Sequence, residues 1–91
     1  TITREEAAVM VTRAAKLCGM DTNMDTLATR DILAQFFDYV KASDWSQSSL
    51  AFCYNEKILD DSVMDIEPKE SVTRAEIASM LYNMLLSANL L

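Results

Sequence analysis

Two short phrases with the same pattern of hydroxyl and charged side chains lie near opposite ends of the sequence. Residues 3–6 read TREE and residues 73–76 read TRAE, and an apolar run follows each of them. Between residues 2–13 and 72–83, Thr, Arg, Glu, Ala and Met recur at five equivalent positions, at an offset of 70 residues. We interpret this recurrence as an internal duplication of a helix start.

The threonine and glutamate of each phrase predict a capping box. In this motif the threonine hydroxyl accepts from the amide three residues later, and the glutamate reaches back to the threonine amide. Thr3 with Glu6, and Thr73 with Glu76, have this spacing. We therefore assign these four residues a structural role as helix caps.

The arginine of each phrase is not explained by helix formation. Arg4 and Arg74 would lie in the first helical turn, where the helix dipole disfavours a cation by about 0.3–1 kcal/mol. A guanidinium beside exposed helix-start amides is well suited to bind an anion, because both groups direct donors outward. A surface ion pair with a nearby carboxylate is an equally good explanation.

Apolar periodicity predicts three amphipathic helices that would position these residues. They cover residues 4–18, residues 45–57 with Ser43 or Asp44 as the N-cap, and a stretch that begins after Thr73 and frays in the SANLL tail. Gly19, the only glycine, is placed for a left-handed cap after the first helix. Residues 20–32 are predicted to be a linker with about two helical turns. A weaker pattern puts Leu33, Phe36, Phe37 and Val40 on one helical face.

The composition favours an all-α fold. One glycine and one proline leave few places for tight turns, so a sheet of many short strands is disfavoured. Three amphipathic helices need partner faces, so we expect residues 1–91 to form a single small helical bundle. The two cysteines, Cys18 and Cys53, fall on apolar faces and are expected to be buried thiols rather than a disulfide.

Charge and residue usage exclude several functions. A net charge of −6 and the absence of a basic face argue against nucleic-acid binding and against attachment to an anionic membrane. No apolar stretch approaches the roughly 18 residues of a membrane span. The chain has no histidine, which removes imidazole zinc sites and His-based catalysis, so we expect a protein that is not an enzyme and needs no cofactor or metal. The acidic run Asp60, Asp61, Asp65 and Glu67 lacks the spacing and glycine of an EF-hand and is expected to be a solvated loop.

The two phrases and several residues between them resemble the S-layer homology repeat. TRAE at 73–76 and TREE at 3–6 match its signature, Phe36 and Asp38 match its F-x-D element, and Trp45–Ser46 match its Trp-small pair. Ile58–Leu59 match the turn, and Ile66 and Pro68 match the loop before TRAE. The resemblance implies a closing helix at 1–19, a linker at 20–32, and one complete repeat with its tail at 33–91. Lys57 stands where the family usually has glycine, and residues 60–63 contain no glycine either.

The resemblance implies a non-catalytic anchoring module outside a bacterial cell, in the cell wall or S-layer. Such modules bind a secondary cell-wall polysaccharide that often carries an acidic pyruvate ketal. Arg4 and Arg74 would pair with its carboxylate, Trp45 would pack against a sugar face or close the groove, and Asp38 would accept from sugar hydroxyls. The family commonly works as three repeats around a central bundle, and this chain holds about one and a half. The resemblance therefore implies either that the sequence is trimmed from a longer one or that neighbouring copies complete the bundle by self-association.

Trp45 and Asp38 also have possible structural roles that involve no ligand. Trp45 is also compatible with a core or hinge aromatic, and Asp38 with a residue that caps a turn. At the level of function, the alternative is a structural or protein-interaction spacer of a cell-surface protein that keeps the fold without binding glycan. The missing loop glycines favour the spacer, and the recurrence of both arginines favours anchoring.

Overall fold

Four α-helices and one short 3₁₀ helix make up the fold, in a computed structural model that describes all 91 residues. The only β-type pairing is an isolated antiparallel bridge between Thr3 and Ser71. This confirms the predicted all-α fold class. The helices are α1 (Arg4–Leu17), α2 (Thr26–Leu33), the 3₁₀ helix (Tyr39–Lys41), α3 (Asp44–Asn55) and α4 (Arg74–Ser87).

The central element is α3. Both α1 and α2 pack against it, whereas α4 packs against α1. Because α3 is covered on more than one side, it buries consecutive residues from Leu50 to Tyr54 rather than the single stripe that the periodicity predicts. The radius of gyration is 12.0 Å, close to the value of about 12 Å expected for one domain of this length.

The stretch predicted as a linker contains α2, which accounts for the two helical turns expected there. Asp25 caps this helix by accepting from the Ala28 amide at 2.7 Å. The chain leaves the helical conformation after Leu33, so Leu33 and Phe36 are buried while Phe37 and Val40 are exposed. The prediction that these four residues share one helical face is therefore wrong.

The duplicated features of α1 and α4 include the start of each helix, its length and the turn that ends it. Each helix has 14 residues and begins with the predicted capping box at Thr3 or Thr73. Each also ends on a left-handed residue at the equivalent position, Gly19 (φ 89°) and Asn89 (φ 60°). The cap predicted at Gly19 is confirmed. The helix α4 ends at Ser87, the first residue of the SANLL tail, and Asn89 follows in a turn in which the Leu90 amide donates to the Leu85 carbonyl at 2.9 Å.

Both cysteines are free, but only Cys53 is buried as predicted. Burial raises the pKa of the Cys53 thiol to about 12, although a hydrogen bond with Thr12 acts in the opposite direction. Cys18 is exposed, because α1 ends at Leu17 and Cys18 is the cap residue beyond the packed face.

The end of α3 reproduces the same left-handed turn without a glycine. Lys57 adopts φ 61°, and the Ile58 amide donates to the Cys53 carbonyl at 2.8 Å. A residue with a Cβ is disfavoured by about 1–2 kcal/mol in this conformation. Lys57 therefore occupies a position whose backbone suits glycine.

We predict that Lys57→Gly stabilises the protein by about 1 kcal/mol, since it removes this Cβ conflict. The exposed ion pair of Lys57 with Asp61 is lost as well, but a pair of this kind contributes little. Urea denaturation would measure the change. The matched control is Lys16→Gly in the last turn of α1, where the backbone is helical and glycine should destabilise by about 1 kcal/mol. Equal destabilisation by both substitutions would contradict the prediction.

Candidate functional site

The starts of α1, α3 and α4 are hydrogen bonded to one another. The Arg4 amide donates to the Glu70 carbonyl at 2.9 Å and the Val72 amide to the Ile2 carbonyl at 3.0 Å, which joins α1 to α4. The Ser43 amide donates to Glu5 Oε1 at 2.9 Å, which joins α3 to α1. The positive ends of three helix dipoles therefore lie in one region, which also contains most of the predicted site residues.

A buried carboxylate, that of Glu5, lies at this junction. Its side chain is 4% exposed and accepts from Ser43 Oγ at 2.9 Å, Ser46 Oγ at 3.0 Å and Lys69 Nζ at 2.8 Å, in addition to the Ser43 amide. Burial acts to raise the pKa of Glu5, but the bonds from Lys69, Ser43 and Ser46 together outweigh it and leave the pKa below 4.5. Sequence reasoning missed this residue. The sequence feature that could have indicated Glu5 is the difference between the two phrases, because Glu5 aligns with Ala75.

The anion site predicted at the start of α1 is occupied by the protein itself. The Arg4 and Glu5 amides donate to the carbonyls of Glu70 and Pro68. The Glu6 amide donates to Thr3 Oγ1 at 3.3 Å. No first-turn amide of α1 is left to bind a ligand.

Arg4 forms the ion pair that was the alternative to anion binding. Its side chain is 27% exposed, and Nη1 donates to Glu76 Oε2. Glu76 also accepts from the Thr73 amide at 3.1 Å. The hydrogen bond from Thr73, followed by the one from Arg4, lowers the pKa of Glu76 against the opposing effect of burial. Arg4 thus connects α1 to the capping box of α4, at the edge of a groove of about 270 Å³.

Arg74, the duplicate of Arg4, is in a different environment. It is exposed and has no carboxylate within 4.0 Å. The amides of Arg74 and Ala75 have no hydrogen-bond partner in the protein, whereas the Glu76 amide donates to Thr73 Oγ1 at 3.1 Å. The start of α4 therefore retains two free amides beside an unpaired guanidinium.

The other two predicted site residues have contrasting environments. Trp45 is 60% exposed in the first turn of α3 and is therefore not a core aromatic. Asp38 accepts from the amides of Ile66 at 2.8 Å and Glu67 at 2.9 Å, so both of its oxygens hold the loop before α4. The turn-capping explanation of Asp38 describes these contacts.

The four predicted residues do not share a cavity. Arg4 lines the 270 Å³ groove, Asp38 lines a separate polar cavity of about 280 Å³, and Arg74 and Trp45 line none. No group of acidic or cysteine side chains is arranged to hold a metal ion. No helix has the length and apolar character required to cross a membrane.

We predict that Glu5→Gln destabilises the protein by about 2–4 kcal/mol at pH 7, because an amide cannot accept all four donors and leaves Lys69 unpaired. Since folding lowers the pKa of Glu5, its contribution to stability is present above pH 4.5 and decreases as pH falls through the folded pKa. The difference between wild type and variant should therefore shrink on acidification. Urea denaturation across this pH range would measure it.

The control for this experiment is Glu70→Gln, which changes an exposed side chain that makes no hydrogen bond. We expect it to alter the free energy of unfolding by less than about 0.5 kcal/mol. If Glu5→Gln and Glu70→Gln had the same effect at pH 7, the Glu5 contacts would not stabilise the fold.

No protein-family model, curated protein or solved structure matches this chain. The resemblance to S-layer homology repeats therefore rests on the residues that match the motif.

Proposed function

We propose that this chain is a non-catalytic anchoring module that binds an acidic polysaccharide on the extracellular surface of a bacterial cell wall. The observation that carries the proposal is the open start of α4. There the exposed guanidinium of Arg74 lies in the same turn as two amides that have no partner. This combination supplies three kinds of attraction for one carboxylate: charge, hydrogen-bond donors and the helix dipole.

The difference between the two duplicated phrases supports Arg74 rather than Arg4 as the direct contact. Arg4 is already paired with Glu76, and the amides of its turn are used by loop carbonyls. By holding Glu76, Arg4 supports the cap from which Arg74 projects. We therefore assign Arg4 a positioning role and Arg74 the contact with a carboxylate such as that of a pyruvate ketal.

Trp45 would supply the apolar part of the interface. Its side chain is mostly exposed, which is unusual for the only tryptophan of a small domain. The helix start that carries it is joined to α1 through Ser43 and Glu5, and α1 is joined to α4. An exposed aromatic side chain in this region can cover one face of a sugar ring.

The net charge of the chain opposes attraction to an acidic polymer at long range. Binding through Arg74 must therefore act within about 8 Å, the screening length at physiological salt. For this reason we expect the affinity to depend on the local donors more than on the overall charge.

We predict that Arg74→Gln weakens binding to bacterial wall preparations by tenfold or more, since hydrogen bonds to a charged group contribute about 1.5–3 kcal/mol. The measurement is co-sedimentation with walls that carry an acidic polymer and with walls from which it has been extracted. Arg13→Gln is the matched control, because Arg13 is an exposed arginine of α1 with no ion pair. Arg4→Gln should lower stability more than affinity.

Two results would contradict the proposal at different levels. If wild type did not sediment with any wall that bears acidic polymer, the anchoring function would be wrong for this chain. If wild type sedimented and Arg74→Gln did so equally well, anchoring would stand and the assignment of Arg74 would be wrong.

The spacer or interaction module is the second candidate function, and an apolar groove between α1 and α4 favours it. The groove measures about 190 Å³ and only apolar residues line it. Of these residues, Met10 and Leu81 remain exposed. Its lining consists of Ile2, Ala7, Met10, Val11, Ala14, Ile77 and Leu81.

We infer that a second copy of this chain would occupy the groove. α1 and α4 begin with similar phrases and already pack side by side, so a helix from a second copy is a suitable third partner. α4 packs against α1 and buries only Met80 and Met84, which leaves much of its surface uncovered. Self-association would cover that surface.

We predict a concentration-dependent dimer in sedimentation equilibrium, which Leu81→Lys should abolish by placing a charge in the groove. Leu17→Lys is the control, because Leu17 is fully exposed at the end of α1 and lies outside the groove. If the wild-type chain stayed monomeric at millimolar concentration, the inference that a second copy occupies the groove would be wrong.

A further inference from the structure

The largest surface cavity lies away from both arginine phrases. It measures about 450 Å³ and is formed by α2, the 3₁₀ helix and the first half of α3. None of the residues predicted as a binding site lines it. Its volume is within the range of about 300–1,000 Å³ that is typical of small-molecule sites.

A buried hydroxyl without a partner belongs to this cavity. Thr29 in α2 is 8% exposed and lines the cavity, and its Oγ1 makes no hydrogen bond. No other buried side-chain nitrogen or oxygen atom of the protein lacks a hydrogen-bond partner. Buried polar groups are nearly always hydrogen bonded, so this hydroxyl requires a partner, which a water molecule or a ligand in the cavity can supply.

The polar lining of the cavity is balanced in charge. Arg30 of α2 and Asp44 of α3 both line it, and neither forms an ion pair. Gln47 donates from Nε2 to the Ala42 carbonyl at 3.2 Å, which orients its amide and leaves the amide oxygen able to accept. One positive and one negative side chain favour a ligand without net charge.

Uncharged hydrogen-bonding groups outnumber the charged ones. Thr26, Thr29, Tyr39, Gln47 and Ser48 contribute hydroxyl or amide groups, beside the apolar side chains of Met24, Leu33 and Val40. A small zwitterion would pair with Arg30 and Asp44 but leave most of these groups without a partner. A molecule with several hydroxyls around an apolar ring face would satisfy both kinds of lining.

We propose that this cavity binds a neutral sugar of the size of one pyranose ring, with the Thr29 hydroxyl bonded to one of its hydroxyls. The site is separate from Arg74 and takes a ligand of different charge. It therefore stands independently of the proposed anchoring function.

The test is a titration of the whole chain with glucose, galactose and N-acetylglucosamine, followed by amide chemical shifts. We expect saturable shifts confined to α2, the 3₁₀ helix and the start of α3. Thr29→Val, which keeps the shape of the side chain, should weaken binding about three- to tenfold, the effect of one lost hydrogen bond. The same variant should be at least as stable as wild type without ligand, because it removes an unpaired buried hydroxyl.

Further variants separate this site from a structural effect. Ser48→Ala changes an exposed lining residue and should weaken binding without lowering stability, whereas Ser62→Ala, outside the cavity, should leave the sugar affinity unchanged. Arg74→Gln should leave the sugar affinity unchanged even where it abolishes wall binding.

Several outcomes would overturn the proposal. One is the absence of shifts with all three sugars at about 50 mM, well above a weak millimolar Kd. Another is equal sugar affinity of wild type and Thr29→Val, which would mean that water satisfies the hydroxyl. If glycine caused localised shifts and the sugars did not, the ligand of the cavity would be a zwitterion and the proposed neutral sugar would be wrong.

Discussion

The buried carboxylate of Glu5 is the interaction on which the arrangement of the helix starts depends. A carboxylate removed from water is costly unless it is paired and hydrogen bonded, and Glu5 in α1 obtains four donors from two other parts of the chain. Ser43 and Ser46 belong to the start of α3, and Lys69 belongs to the loop before α4. Since that loop continues into the bridge between Ser71 and Thr3, one charge fixes the positions of three helix starts.

The duplicated phrase has acquired two different environments because its two copies lie at different depths. α1 packs against both α3 and α4, so loop carbonyls reach its first amides and Glu76 reaches its arginine. α4 packs on the outside, and its equivalent amides and arginine remain free. The same residues therefore stabilise the junction in one copy and are available to a ligand in the other. The distinction between a structural and a binding arginine comes from packing and not from the phrase itself.

The helices and their caps could be predicted from the sequence because they depend on residues close together in the chain. The contacts of the candidate site could not be predicted, because they join residues that are far apart in the sequence. The capping boxes and the Gly19 turn join residues within about five positions, so spacing alone indicates them. The Glu5 contacts with Ser43 and the Arg4 pair with Glu76 span 38 and 72 residues. The exposure of Phe37 and Cys18 likewise depends on where a helix ends, and a difference of one residue at an end changes the exposure of a side chain.

The missing glycines of the loop are weaker evidence for a lost binding function than the sequence indicates. Lys57 adopts a left-handed backbone with a φ of 61°, whereas no residue from 60 to 63 has a positive φ and none of them needs glycine. The Cys53 carbonyl accepts from the Ile58 amide, and this helix-end hydrogen bond maintains the turn at Lys57 without glycine. The left-handed backbone of Lys57 therefore lowers the stability of the protein and does not change the shape of the turn. The case for a spacer then rests on the paired state of Arg4 and on the apolar α1–α4 groove, and the case for anchoring rests on the open start of α4.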